Sequence, residues 1–424
     1  MFASGPAIVS VLFLLQAETQ FETGARVEGR VGVAPTGIQT NSLGQTVAAE
    51  QAQVMVLATP ILGLHWLDDT DELRASSATR ILWRPVPLWG DRPLFLETVE
   101  ATHVKRPSRR SRWQLSILGS YGEQDYTSLQ QQLVNQPTLP AAATMLAINT
   151  IADASWRSSR RTTLTLQLGA THRRSFNTMT AGSGPAFFFL PTQTAVTVAP
   201  GLRHALSRRS SLEAVASVMD TDLRDIPLGT SNTGQLNVLS IQPQIGVRQE
   251  LTRQQQLHLA AGFTYAVALR RTDQTQTWHP ISPLLQIDLS SILRQTRAAV
   301  VRSMLSAGTM WYTDPVLGVS VWRGIGQALL DAELGPRWSA GARCTFTTDL
   351  TGLKSNGGVT PDETLVSAEI PVRYRWSKQL LAEFGARYAE RGPRMSLALH
   401  NPEAWLFLTL LTTPRASPTK VVSN

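Results

Sequence analysis

Chemistry requiring a nucleophile, a base and an orienting acid would draw on seven histidines, His65, His103, His172, His204, His258, His279 and His400, scattered along 424 residues. Only His172 stands near a nucleophile, Ser175 in the segment THRRS, and no third orienting group or oxyanion donor accompanies the two. The sequence carries no cluster with metal-ligand spacing, no phosphate-cradling glycine loop and no nucleotide motif. A single cysteine, Cys344, excludes an intramolecular disulfide framework. These residues predict a protein without enzymatic activity, metal or cofactor.

Charge is patterned more tellingly. Arg26, Arg30, Arg203, Arg248, Arg302, Arg343, Arg373, Arg375 and Arg387 fall on the polar side of alternating segments, together with Glu28, Glu97, Asp153, Glu213, Glu250, Asp288, Glu369 and Glu383. Opposite charges so placed brace neighbouring strands or contact a polar solute, and their near balance argues against a strongly anion-selective passage. The net charge of +8 sits elsewhere. Arg109, Arg110, Arg160, Arg161, Arg208 and Arg209 lie in short polar turns, as do Arg253, Arg337 and Lys378, while acids in such turns are confined mainly to 68–72.

The elements that position these charges are strands. Trp113, Leu115, Ile117, Gly119 and Tyr121 alternate with Gln114, Ser116, Leu118 and Ser120; Leu164, Leu166, Leu168 and Ala170 alternate with Thr163, Thr165, Gln167 and Gly169. Period two puts successive side chains in opposite environments. Short turns recur at 107–112, 157–161, 207–211, 252–256, 293–297, 335–338 and 376–379. Between them stand longer, variable loops such as 122–143, 175–191, 223–233 and 350–362. Short turns at one end and long loops at the other predict an all-β, antiparallel, up-and-down transmembrane barrel with periplasmic turns and extracellular loops.

The register places strands at 24–33, 51–66, 77–89, 93–105, 112–121, 144–156, 161–174, 192–206 and 210–222. It continues through 234–251, 256–272, 279–292, 296–311, 318–333, 338–349, 363–376, 380–390 and 394–411, eighteen in all, with sixteen as the alternative count. Most runs reach the ~9–11 residues that a tilted strand needs to cross a bilayer. Trp66, Trp89, Trp113, Trp156, Trp278, Trp311, Trp338 and Trp376 fall near strand ends, where indoles suit the headgroup layer. Pro60, Pro200, Pro243, Pro283 and Pro371 lie inside strands, read as sitting on the apolar face, and predict bulges or splayed ladders because proline cannot donate to a ladder.

Residues 1–17 resemble a signal peptide, with an apolar run from Ala7 to Leu15 before Gln16 and Ala17; a barrel over 18–413 and a periplasmic tail over 414–424 follow. Beyond the N-terminus no stretch approaches the ~18 apolar residues of a transmembrane helix. A signal peptide and long strands place the basic turns away from nucleic acid and toward anionic outer-membrane lipid or a periplasmic partner.

In its size, its Arg-rich short turns, its eighteen-strand register and its N-terminal segment GARVEGRVGVAPTG, the chain resembles the Wzp-type integral outer-membrane barrels that accompany polysaccharide export machinery in myxobacteria. The resemblance implies a conduit in the outer membrane of a Gram-negative bacterium, with both termini periplasmic, polysaccharide as substrate and a periplasmic polysaccharide export protein as partner. It carries over no individual residue. Two other functions are open on the residues alone: a general or substrate-specific porin for small solutes, and a barrel hydrolase, which would need a triad.

Overall fold

Alternation of apolar and polar residues is realised as one closed sheet. The computed structural model describes residues 18–40, 46–83, 93–125, 141–180, 192–227, 233–271, 281–296, 298–314, 319–350, 363–393, 401–412 and 417–418, and none of these is helical. The wall opens with β1 (Glu18–Thr40), β2 (Thr46–Leu67), β3 (Asp71–Trp83), β4 (Leu94–Ser108), β5 (Ser111–Asp125) and β6 (Ala141–Arg157). Next come β7 (Thr162–Thr180), β8 (Thr192–Ala205), β9 (Ser210–Pro227), β10 (Thr233–Thr252), β11 (Gln255–Arg271) and β12 (Ile281–Gln295). The last six are β13 (Ala299–Asp314), β14 (Val319–Leu334), β15 (Trp338–Asp349), β16 (Glu363–Arg375), β17 (Leu380–Pro393) and β18 (Asn401–Thr412). Each strand pairs antiparallel with its sequence neighbours, and β18 returns to β1 from Ala25–Thr412 to Val33–Ala404. A two-residue strand, Ser417–Pro418, joins β1 at Phe21 and Gln20, inside the segment expected to be a tail.

The two faces differ sharply. Leu406 is 66% exposed and its neighbour Trp405 is 2% exposed. Along β18, Glu403, Trp405, Phe407 and Thr409 are buried while Ala404, Leu406, Leu408 and Leu410 are exposed. The outward set elsewhere is Leu, Val, Ile, Phe and aromatic, as in Leu62, Ile245, Phe263 and Ile281. Such an exterior suits hydrocarbon, where water does not compete.

The described short turns lie at the end where β1 begins and β18 finishes, because each joins an even strand to the odd one after it. Their sequences share a device. Ser108, Ser159, Ser207 and Ser377 accept, through Oγ, hydrogen bonds from the backbone N–H groups of Arg110, Arg161, Arg209 and Gln379, at 3.2, 3.2, 3.0 and 3.1 Å. A hydroxyl that bonds two residues on stabilises a turn without glycine, and among the described turns only Gly335 has positive φ (75°).

Four prolines interrupt one ladder each without shifting it. Pairing skips Pro60 against β3, Pro200 against β9, Pro243 against β11 and Pro371 against β15, then resumes in the same register, while the other neighbour stays paired. These are local splays, since a bulge would have shifted the count. At Pro283 the β11 ladder holds, and pairing of β12 with β13 starts only at Gln286–Gly308. Facing strands close in at some of these places. A Cβ on Gly262 would come within 2.1 Å of the Pro243 carbonyl oxygen, and one on Gly385 within 2.3 Å of that of Ile370.

Three expectations are corrected, and a fourth lies outside the described residues. Pro371 points inward and is buried, because it shares parity with Glu369 and Arg373. The third strand begins at Asp71, not at residue 77: Asp68, Asp69 and Thr70 make the turn, and Glu72 and Arg74 bond each other along the strand, so a polar run remains extended. The eighteenth is described from Asn401; the start expected at 394 lies outside the described residues. Trp311 is buried against Leu223, Leu236, Val238 and Ala266 instead of lying in a headgroup layer. Beyond Gly308 the β12 ladder has stopped, Thr309 Oγ1 takes the Leu285 N–H at 3.0 Å, and this stretch of β13 stays paired with β14 alone, Trp311 opposite Trp322. Trp113, Trp156, Trp338 and Trp376 are exposed at the turn end, whereas Trp89, Trp278 and the signal segment 1–17 lie outside the described residues.

Purified in detergent, the chain should give a strand-dominated circular dichroism spectrum and run faster on gels unheated than boiled. Leu406→Arg should lower the temperature of that gel shift, by about 2–4 kcal/mol of stability if the residue sits at the bilayer midplane. A helical spectrum, or an unchanged transition in the variant, would contradict a lipid-facing wall.

Candidate functional site

The inner face divides into two levels. In the loop-side half, many side chains pointing into the barrel from β1 to β4, β10 to β12, β15 and β18 are dry: Glu28, Gln53, Met55, Leu82, Leu94, Leu236, Val238, Thr264, Leu284, Asp349 and Trp405 are all between 0 and 6% exposed. Met55, Leu57, Leu82, Leu94 and Trp405 form one apolar cluster there, and the Trp311 group forms a second. An eighteen-strand cylinder is wide enough for an aqueous channel, yet water does not reach these side chains.

The turn-side half is wet and charged. A cavity of about 850 Å³ is lined by Arg26, Arg337, Arg343, Arg373, Arg375 and Arg387, with Asp331, Glu333, Glu369 and Glu383. A second, of about 610 Å³, lies against β1 to β5 and includes Glu22, His65, Glu72, Arg74, Glu100 and Arg112.

Parity along each strand brings the charges together. Arg26 donates to Glu28 at 2.6 Å, and Arg30 closes on the other carboxylate oxygen of Glu28. Across β8 to β13 runs a chain of groups: Arg203 and Arg248 stand 3.4 and 3.6 Å from Glu213. His258 reaches Glu213 through Nε2 at 3.6 Å and Asp288 through Nδ1 at 3.0 Å. Ser306 and Gln286 donate to Asp288 at 2.5 and 2.6 Å. Arg302 binds Glu333 at 2.6 Å and lies 3.8 Å from Asp331. Arg387 donates to Glu369 through Nε and Nη2, at 2.9 and 2.6 Å, and Arg373 binds Glu383. The bridging position of His258 was not drawn from the sequence, although its parity with Arg248 and Asp288 would have suggested it.

Other residues fall elsewhere. Glu97 faces outward, not into the lumen, because it is paired with Thr79 and is one step out of phase with Leu94 and Leu96; the Ser77 and Thr79 hydroxyls hold its carboxylate. Asp153 is half-buried and Glu250 exposed on the inner parity. His172 bonds Thr194 at 3.0 Å on the outer parity while Ser175, opposite buried Met145, is on the inner one, so the two do not form a nucleophile–base pair. Arg109, Arg110, Arg160, Arg161, Arg208 and Arg209 are exposed in the turns at one rim. Among the described residues no three acids, histidines or cysteines gather to hold a metal ion.

No protein-family model and no curated protein matches the chain. Among solved structures it is similar to the copper transporter OprC, with TM-score 0.47 and 10% identity over 92% of this chain and 80% of that one. It is also similar to OccK11 (OpdR) of Pseudomonas aeruginosa, with TM-score 0.42 and 12% identity over 94% of this chain and 96% of that one. For Pseudomonas aeruginosa OpdQ the values are 0.41 and 11% over 95% and 99%.

Pairing geometry separates the charges by consequence. Glu28, 2% exposed, sits between two guanidiniums, so Glu28→Gln should deprive the buried Arg30 of its carboxylate counter-charge and cost about 3–5 kcal/mol, read as an earlier gel-shift temperature. Arg302→Gln, at an exposed pair, should leave that temperature unchanged. Equal effects would mean that the inner charges do not differ in burial.

Proposed function

We propose that this protein is an outer-membrane channel component through whose lumen a polar solute crosses, with the short turns and both termini in the periplasm. The observation that carries the reading is an apolar exterior wrapped around an inner face of paired arginines and carboxylates. Such pairs donate and accept hydrogen bonds without net charge, which suits a hydroxyl-rich chain. The Wzp-type resemblance supports the finer reading, a conduit for a secreted polysaccharide. A porin for small solutes is the alternative, and the dry loop-side half of the lumen speaks against a permanently open one. We expect the purified barrel to show little steady conductance in planar bilayers until that level rearranges. Deleting the gene should abolish one surface polysaccharide while its synthesis enzymes stay active. Unchanged polysaccharide with lost uptake of a small solute would favour the porin.

The basic rim offers a docking surface for an acidic face of a periplasmic polysaccharide export protein. Exposed charges screened over ~8 Å add little stability, so their effect is on association. Neutralising Arg109, Arg110, Arg160, Arg161, Arg208 and Arg209 together should leave the barrel assembled and weaken partner recovery, with the unmodified protein showing the steeper salt dependence. Normal export and recovery in the sextuple variant would assign these arginines to lipid headgroups alone.

A further inference from the structure

Near balance of charge in the lumen conceals an imbalance of partners. The larger turn-side cavity has six arginines against four carboxylates in its lining. Those carboxylates are taken: Glu369 by Arg387, Glu383 by Arg373, and Glu333 with Asp331 by Arg302, while Arg26 turns to Glu28. Arg337, Arg343 and Arg375 are left, lining the same space, each exposed and without an ion pair or side-chain hydrogen bond among the described residues.

Their placement follows from the fold. Arg337 ends the β14–β15 turn and its carbonyl accepts the Arg375 N–H at 2.7 Å, which sets the two residues side by side at the mouth. Arg343 lies farther in, across the β15–β16 ladder from Glu369, whose carboxylate already holds both Nε and Nη2 of Arg387. The Arg387–Glu369 and Arg373–Glu383 pairs brace the wall between them. Guanidiniums offer planar, bidentate donation to carboxylate or phosphate, and in a half-enclosed space they are screened less than at a rim.

We propose that Arg337, Arg343 and Arg375 form an anion-binding site at the turn-side mouth of the barrel, recognising successive carboxylate or phosphate groups of an acidic glycan. The glycan as carrier of those groups rests on the polysaccharide reading above; the anion site itself does not.

Binding is measured by calorimetry on the full-length protein in detergent, with trigalacturonate, tripolyphosphate and neutral maltotriose as probes. An anionic probe should bind, with affinity falling as salt rises, and maltotriose should not. Arg343→Gln with Arg375→Gln should weaken the anion about tenfold or more, whereas Arg224→Gln, at the far end, should match the unmodified protein. Heat-dependent gel mobility confirms that each variant is folded. Binding of trigalacturonate assigns uronate carboxylates, and binding of tripolyphosphate alone assigns phosphate; either supports the site. Maltotriose binding as tightly as the anions, no binding of any anion, or indifference to the double substitution overturns it. Intact surface polysaccharide in the deletion strain would remove the export reading and leave the calorimetry standing.

Discussion

Backbone hydrogen bonding without water is the constraint on which this molecule depends. An open sheet edge in hydrocarbon would leave a row of N–H and C=O groups unpaired, so a sheet facing lipid has to close on itself. Pairing of β1 with β18, from Ala25–Thr412 to Val33–Ala404, does that. Closure then dictates the rest: with every strand antiparallel to both neighbours, all even-to-odd turns collect at one end, and between register shifts the inner residues of a strand keep one parity. The arginine rim and the charged vestibule are consequences of that parity. Neither required the arginines to be near one another in sequence.

The prolines show how much local damage a closed ladder tolerates. Each removes one donor, and at four of the five the affected ladder opens for two residues and closes again in register. A shift by one residue would turn every later side chain to the wrong face, moving charges into lipid. Losing a hydrogen bond or two costs far less than that, so the sheet splays and keeps its count.

Most of the wall was legible in the sequence because lipid imposes a strict rule on one face. Strands such as 112–121 and 256–272 were found within a few residues of Ser111–Asp125 and Gln255–Arg271. Where the outer face is polar, at Ser77, Thr79 and Glu97, the rule is relaxed; the third strand was misplaced and Glu97 was assigned inward. The interior was read less well for a related reason. Inner residues answer to each other along the wall and to no common solvent, so Met55, Leu82 and Trp405 meet where closure through β1 brings β18 beside β2 and β3, with no periodic sign. Trp311 was misread because an interruption in a neighbouring ladder decides where it points.

Charge counts mislead in the same way. Along the inner face acids and arginines are nearly equal, and by that measure the lumen is neutral. Neutrality, however, is a property of neighbourhoods. Buried Glu28 neutralises Arg30 in the dry layer and Arg26 at its edge on the cavity, Glu213 is shared by Arg203, Arg248 and His258, and carboxylates beside β16 and β17 are already bound. What an incoming solute meets is the remainder, and the remainder depends on position. Rim arginines are open to salt and act over a Debye length; arginines in the vestibule sit between walls that exclude part of the water, so the same charge acts more strongly on whatever enters. A barrel with balanced composition can thus present a positive turn-side mouth beneath inner side chains that water does not reach, and strand parity sets most of that order of surfaces.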